Sequence, residues 1–325
     1  MKIFSKVFLF FFFIIILTSC DKPSSSTVTI GIIQPLEHTA MAEIVAGYTE
    51  TLKKLYDKPV IIKVRNAQND ANMQRAIIQQ MRDANYSLIV PIGVDTSEMT
   101  LAMTRNQSVV SLASDLSDAD RKKLKNCRVA VVHDEISTKQ LLAFIHAVYP
   151  QLTQLTLIHS SANKVLPQVD EAIAAGKMFG ITIHHMMISS LPELYTTANA
   201  LDKDSQGIFI LKDSLIVSGI GTLAKIAANK HIPLITSDQG SVQNGAGFAL
   251  GVHEREIGVQ GAILSVAILK GKSVCDLPIV EMKHLTVFIN QKSLQSEYQS
   301  LDLLIKAAKQ FSYQSEMINT ISSGA

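Results

Sequence analysis

The chain of 325 residues predicts an α/β fold of two doubly wound, parallel-sheet lobes, and three observations carry that prediction. Short β-branched runs alternate with amphipathic helical stretches. The alternation occurs twice in tandem. The roughly 300 residues that follow an N-terminal apolar run exceed what a single core usually organises.

The first series opens on Val28-Thr-Ile-Gly-Ile-Ile33. A helix follows, with Met41, Ile44, Val45, Tyr48, Leu52 and Leu55 on one stripe, and then a strand over 60–64. A helix over 72–85, a strand over 88–90, a helix from about Ser97 and a strand over 108–112 continue a βαβα order, which implies a parallel sheet. The polar, aperiodic stretch 114–123 predicts the first crossing between lobes. A second series places strands at 128–132, 155–158, 181–183, 207–211 and 233–236 with helices between them. A strand over 247–252, a helix over 254–270 and a strand over 285–289 close the chain.

Ahead of this lies a different kind of segment. Lys2 and Lys6, with no acid, precede an apolar run over 7–17 that is too short to span a bilayer, which reads as a secretory signal over residues 1–19. The run ends in Leu17-Thr-Ser-Cys20, which resembles a bacterial lipobox whose cysteine becomes lipidated. Residues 20–27 then read as a flexible lipidated tether, and Asp21 resembles the inner-membrane retention signal of some Gram-negative lipoproteins. The expected location is therefore extracytoplasmic, anchored to the membrane through lipid, at the periplasmic face of the inner membrane in a Gram-negative cell.

Of the 30 basic residues, Lys2 and Lys6 lie in the leader, leaving 28 against 28 acids. A chain without net charge or a basic run disfavours a nucleic-acid partner. Cys127 and Cys275 could pair in an oxidising compartment, but two distant cysteines do not specify a bridge.

Loops leaving the C-terminal ends of parallel strands gather at one sheet edge, so two facing sheets surround one cleft. Those loops carry Glu37 and His38, Asp95, Thr96 and Ser97, Ser114 and Asp115, Ser160, Asp213 and Ser214, and Asp238. Thr96 or Ser97 at a helix start offers a hydroxyl and free backbone N–H groups to a carboxylate. Glu37, Asp95, Asp115, Asp213 and Asp238 offer anions to an ammonium. Together they suit a small zwitterion, while each Ser, Thr or Asp taken alone also suits an ordinary helix N-cap.

Other motifs carry less. Gly219-Ile-Gly-Thr-Leu-Ala224 matches a loose dinucleotide fingerprint, but its glycines fall inside a helix that follows the 207–211 strand, so no cofactor is expected. His184 and His185 alternate between strand faces and cannot converge on one metal ion. Gly-x-Ser-x-Gly is absent, and no catalytic arrangement is indicated.

Taken in order, Ile30-Gly-Ile-Ile-Gln-Pro-Leu-Glu-His38, Asn66-Ala-Gln-Asn-Asp70, Leu88-Ile-Val-Pro-Ile-Gly93, Ser114-Asp115, Lys212-Asp-Ser214, Gly251-Val-His-Glu-Arg-Glu-Ile-Gly258, Ile268-Leu-Lys-Gly271 and Phe288-Ile-Asn290 resemble the ABC-transporter substrate-binding family related to tryptophan/tyrosine-binding lipoproteins. The resemblance implies a type I periplasmic-binding-protein fold with a three-segment hinge. Lobe I would hold 28–115 and 249–283, and lobe II would hold 116–248 and 284–325. It also implies ABC permease subunits as partners and an aromatic or other apolar amino acid as ligand. A lipoprotein sensor presenting its closed form to a membrane receptor or kinase is the alternative. Two positions depart from the family pattern: Ser114-Asp115-Leu116 stands for its Thr-Asp-Pro, and His253-Glu-Arg255 for its tyrosine-rich segment.

Overall fold

The computed structural model describes residues 27–116, 121, 128–134, 136–162, 165–282 and 284–319. The signal segment, Cys20 and most of the tether lie outside the described residues, as does Cys127.

Two sheets organise the chain. The first contains β1 (Val28–Gln34), β2 (Val60–Asn66), β3 (Leu88–Pro91), β4 (Ser108–Leu112), β5 (Val129–His133) and the short β11 (Val280–Glu281), in the order β11-β5-β4-β3-β1-β2. Every neighbouring pair in it is parallel. The second contains β6 (Gln154–His159), β7 (Thr182–Met187), β8 (Ile208–Phe209), β9 (Leu234–Thr236), β10 (Phe248–Gly251), β12 (Thr286–Ile289) and β13 (Gln314–Met317), in the order β13-β12-β10-β9-β8-β6-β7. It is parallel except where β12 runs against β10.

Sheet membership moves two of the three expected lobe boundaries. β5 pairs with β4, so the first crossing follows His133 and not residue 115. The hydroxyl- and acid-rich composition after β4 marks a loop, and composition alone does not distinguish a loop that returns to its own sheet from one that leaves it. The decision lies in apolar side chains: Val129 and Val131 bury in one cluster with Leu101, Val109 and Leu116 of the first lobe. Likewise β10 pairs with β9 and β12 in the second sheet, so the second crossing follows Gly251. The chain thus crosses after β5, after β10 and after β11. Leu285 packs against the cores of both lobes at the third crossing.

In the first lobe, α1 (Thr39–Leu55), α2 (Ala71–Asp83), α3 (Val94–Met103) and α10 (Glu254–Leu269) cover the sheet. The second lobe carries α4 (Thr138–Val148), α5 (Val165–Met178), α6 (Leu191–Asn199), α7 (Ser214–Ser218), α8 (Ile220–Lys230), α9 (Gln239–Gln243), α11 (Gln291–Ser296) and α12 (Leu301–Gln310). The buried stripe of α1 is Ala40, Ile44, Gly47, Tyr48 and Leu52, while Leu55 turns outward. The stripe faces α10 at backbone contact distance. A Cβ on Gly258 would sit 2.0 Å from the Ile44 carbonyl oxygen, and one on Gly47 would sit 2.1 Å from that of Arg255. The Tyr48 hydroxyl donates to Ser265 Oγ at 2.7 Å across this interface, and Ser265 donates on to the Gly261 carbonyl at 2.8 Å.

Cys275 is disulfide-bonded. In the second lobe, burial pushes the Glu297 carboxyl up to about 8, a rise only partly offset by the Leu234 N–H.

Two outcomes follow from this packing. Gly258→Ala should lower stability by about 1–3 kcal/mol, because the neighbour it meets is backbone and cannot swing away. A shift in the urea midpoint without a change in slope checks this. Glu297 binds its proton more tightly folded than unfolded, so its contribution is full at acid pH and is lost as pH rises toward 8. Glu297→Gln should therefore flatten the fall in unfolding free energy between pH 5 and 8, a fall whose slope reaches at most about 1.4 kcal/mol per pH unit for one group.

Candidate functional site

The C-terminal edges of the two sheets face one another, and the cleft between them has a free interior of about 100 Å³, several times what one water needs. The loop after β1 contributes Pro35, Leu36 and His38, and α1 adds Met41 and Ile44. Gly93 and Val94 come from the start of α3, and Ala113 and Asp115 follow β4. Asp134 and Ile136 lie on the first crossing, with Leu141 and Gln168 behind them. The far wall consists of Leu211, Lys212, Ser214 and Val217, then Ser237 and Asp238, and finally Glu254 at the head of α10.

Backbone geometry shapes this edge. Gly93 caps α3 at φ 87°, a left-handed value that glycine adopts without strain. Ala113 holds φ 51°, which costs a non-glycine residue about 1 kcal/mol. A chain of hydroxyls keeps the turn after it in place: Ser114 donates to Ser111 and Ser111 to Ser97, each at 2.6 Å, and Ser97 donates to the Gly93 carbonyl at 2.7 Å.

His38 is the N-cap of α1, its Nδ1 accepting from the Ala40 N–H at 3.2 Å. Burial lowers its pKa, an effect that the Asp238 carboxylate offsets in part, so the ring is neutral at physiological pH. With Nδ1 accepting, the ring proton sits on Nε2, and that buried atom has no partner. The Ser237 hydroxyl is buried and unpartnered as well. Glu254 Oε1 accepts from the Gln239 N–H of the opposite lobe at 2.9 Å, while its buried Oε2 accepts from nothing. Asp238 accepts from the Ser241 N–H at 2.7 Å and from the Ser241 hydroxyl at 2.6 Å. Lys212 Nζ donates to Asp134 Oδ2 at 2.5 Å and to its carbonyl oxygen at 3.3 Å, tying the second lobe to the hinge. Burial alone would lower the Lys212 pKa, but Asp134, Glu254 and Asp238 outweigh it and hold the ammonium above its usual range.

Of the residues expected from sequence, His38, Asp115, Ser214 and Asp238 line the cleft. The others do not. Glu37 and Asp95 are exposed. Thr96 is buried, donating to Gln74 Oε1 at 3.3 Å, and Ser97 and Ser114 are consumed by the hydroxyl chain. Asp213 is a correction. Its carboxylate accepts from the N–H groups of Ser160, Leu215 and Ile216, so it staples two loops and offers no free oxygen to an ammonium. Ser160 in turn accepts from the Ala162 N–H. Sequence reasoning missed Lys212, Asp134, Ser237 and Glu254 as site residues. Only adjacency to the chosen loop residues could have found the first three, and Glu254 opens a helix that looked structural. His184 and His185 do point apart, one to Gln154 and the other to His159, and no group of three potential metal ligands occurs among the described residues.

Comparison with known proteins follows the same line. The family model for the ABC transporter substrate binding proteins matches residues 29–311, and the chain belongs to that family. A protein of Rickettsia prowazekii (strain Madrid E) is 39% identical over 294 residues, spanning 90% of this chain and 91% of its own. A tyrosine-binding protein of Clostridioides difficile (strain R20291) is 26% identical over 276 residues, spanning 82% of this chain and 80% of its own. Among solved structures, an ABC domain from Streptococcus pneumonia in complex with L-Trp superposes with a TM-score of 0.80 at 23% identity, covering 90% of this chain and all of that one. The family is one of binding proteins, so the chain is a substrate-binding protein and not an enzyme.

Removing the staple tests the corrected role of Asp213. Asp213→Ala leaves three buried backbone N–H groups without an acceptor and should cost about 2–3 kcal/mol of stability. The Kd of a bound ligand should change less than about threefold, against the roughly 30-fold that loss of a direct charge partner costs. Chemical denaturation and calorimetric titration on the same variant separate the two.

Proposed function

We propose that this substrate-binding protein is the lipid-anchored, extracytoplasmic receptor of an ABC importer, closing two lobes on a small zwitterion with an apolar side chain. The observation that carries this is the set of unpartnered, buried polar atoms converging on one cleft. His38 Nε2–H and the Ser237 hydroxyl are donors, and Glu254 Oε2 is an acceptor beside the Asp115 and Asp238 carboxylates. Buried polar groups are rarely left unsatisfied unless something else completes them. Two donors and the N-terminus of α3 suit a carboxylate, and the acids suit an ammonium.

The remaining surface is aliphatic. Met41, Ile44, Val94, Ile136, Leu141 and Val217 would pack an apolar or aromatic side chain. A relative named for tyrosine and a structural neighbour holding L-Trp support an aromatic or other apolar amino acid. The lipobox-like Leu17–Cys20 segment supports the anchor, and the disulfide at Cys275 suits an oxidising compartment. No helix among the described residues is long and apolar enough to cross a membrane. Permease subunits would recognise the closed form.

Closure brings α9 onto the start of α1. Asn244 Nδ2 donates to Thr39 Oγ1 at 3.2 Å, and a Cβ on Gly240 would lie 2.6 Å from His38 Cε1 and 2.8 Å from the Ala40 nitrogen.

A thermal-shift screen of residues 28–325 against the amino acids, sugars and nucleosides tests the ligand class. L-Tyrosine, L-tryptophan or an aliphatic amino acid at 100 times its Kd should add about 2.7 kcal/mol of stability. A shift from sugars or nucleosides alone would refute the zwitterion. Gly240→Ala should weaken binding about tenfold by depleting the closed state. Unaltered affinity in calorimetry would refute closure at this contact.

A further inference from the structure

The polar atoms of the cleft do not balance. Among the described residues that line it, Asp115, Asp134, Asp238 and Glu254 stand with one ammonium, that of Lys212, which is already committed to Asp134. His38 adds no charge. The groups facing Glu254 are Asp238 and Lys212 from the second lobe, with His38 at the head of the packed helix α1; its neighbours on α10, Arg255 and Glu256, turn away from the cleft, Arg255 pairing with Glu43 and Glu50 on α1.

Glu254 is the least solvated of these acids that retains a free oxygen. It is 2% exposed and lines the cleft; one oxygen holds the Gln239 N–H of the opposite lobe, and the other is buried without a partner. An orphaned acceptor at this depth is a costly arrangement unless a proton or a cation completes it.

We propose that Glu254 is the proton-exchanging residue of this site: in the empty protein its carboxyl holds a proton, and the ammonium of an incoming ligand displaces that proton to solvent. The inference rests on the reading of the cleft as an ammonium receptor and adds the residue that reads the charge and the coupling of capture to pH. The proton balance is simple. Glu254 loses one proton to water, and the ligand ammonium takes its place as the counter-charge, so no other group need change its ionisation. Burial, reinforced by Asp238 and opposed by Lys212, pushes the Glu254 carboxyl up to about 8, which leaves it largely protonated at pH 7 in the empty cleft. Oε1 binds the second lobe and Oε2 faces the ligand, so displacement also strengthens a contact that spans the closed lobes.

Two measurements test it on residues 28–325. The first needs no ligand. Glu254 binds its proton more tightly folded than unfolded, so its stabilising contribution is lost as pH rises toward 8. The melting temperature of the wild type should fall relative to that of Glu254→Gln between pH 6 and 8.5. Parallel curves would overturn the inference whatever the cleft binds.

The second uses L-tyrosine and tyramine, which carry the ammonium, and 4-hydroxyphenylpropionate, which lacks it. Both amines should bind about 20-fold more tightly at pH 8.5 than at pH 6.5. They should release close to one proton at pH 7, read from calorimetric heats in buffers of different ionisation enthalpy. In Glu254→Gln the affinities should be flat with pH within about twofold, and the acid lacking an amine should show no such dependence on either protein. Amine binding that is independent of pH, or a Glu254→Gln variant that keeps the wild-type profile, would overturn the inference while leaving the amino-acid receptor intact. Failure of both amines to bind at pH 8.5 would overturn it together with that reading.

Discussion

The contact on which the site depends is the backbone-to-backbone crossing of α1 and α10. Gly47 lies against the Arg255 carbonyl and Gly258 against that of Ile44, closer than any side chain would permit. Both contacts lie within about three turns of the helix N-termini, and those termini carry His38 and Glu254. The crossing therefore sets where an imidazole donor and a carboxyl acceptor enter the same cleft. A helix N-terminus is also a region of positive potential and free N–H groups, which suits polar ligand recognition. The buried Tyr48–Ser265 pair specifies the register of the two helices along their length.

Electrostatics complements this packing. Each lobe brings acids to the cleft, and Lys212, the lysine among its described lining residues, is bound to the hinge. Water inside the cleft screens the acids poorly, so an unfilled site stores repulsion that a cation relieves. The apolar wall works in the same direction, because it lowers the local dielectric and strengthens each charge–charge contact. On the proposed zwitterion reading, affinity for the ammonium and exclusion of water from the aliphatic wall reinforce one another.

Much of the fold was legible in sequence because buried parallel strands read as short β-branched runs and amphipathic helices read as stripes. The 88–90 and 108–112 strands and the 254–270 helix were placed within a few residues. The lobe boundaries were not legible, since both errors turned on which sheet a fully apolar strand joined. β5 and β10 carry no polar face that would assign them, and each stays in the sheet of the strand just before it, where the sequence placed a crossing. β13, Gln-Ser-Glu-Met, was missed outright: it is an exposed edge strand without apolar alternation.

The site shows the same limit in sharper form. Asp213 and Asp238 have equivalent local chemistry, each an aspartate after a strand, each capping a short helix by accepting backbone N–H groups. Sequence treats them alike, and both were assigned to the ligand. What separates them is the neighbouring loop. At Asp213 the Ser160 N–H reaches across and takes the second oxygen, so the carboxylate closes on the protein's own backbone. At Asp238 both acceptor bonds come from one residue, Ser241, and the carboxylate remains on the wall of the cleft within electrostatic reach of His38 and Glu254. An N-capping acid thus serves the fold or the ligand according to where the next strand's loop ends, which is a property of tertiary packing that no local motif encodes.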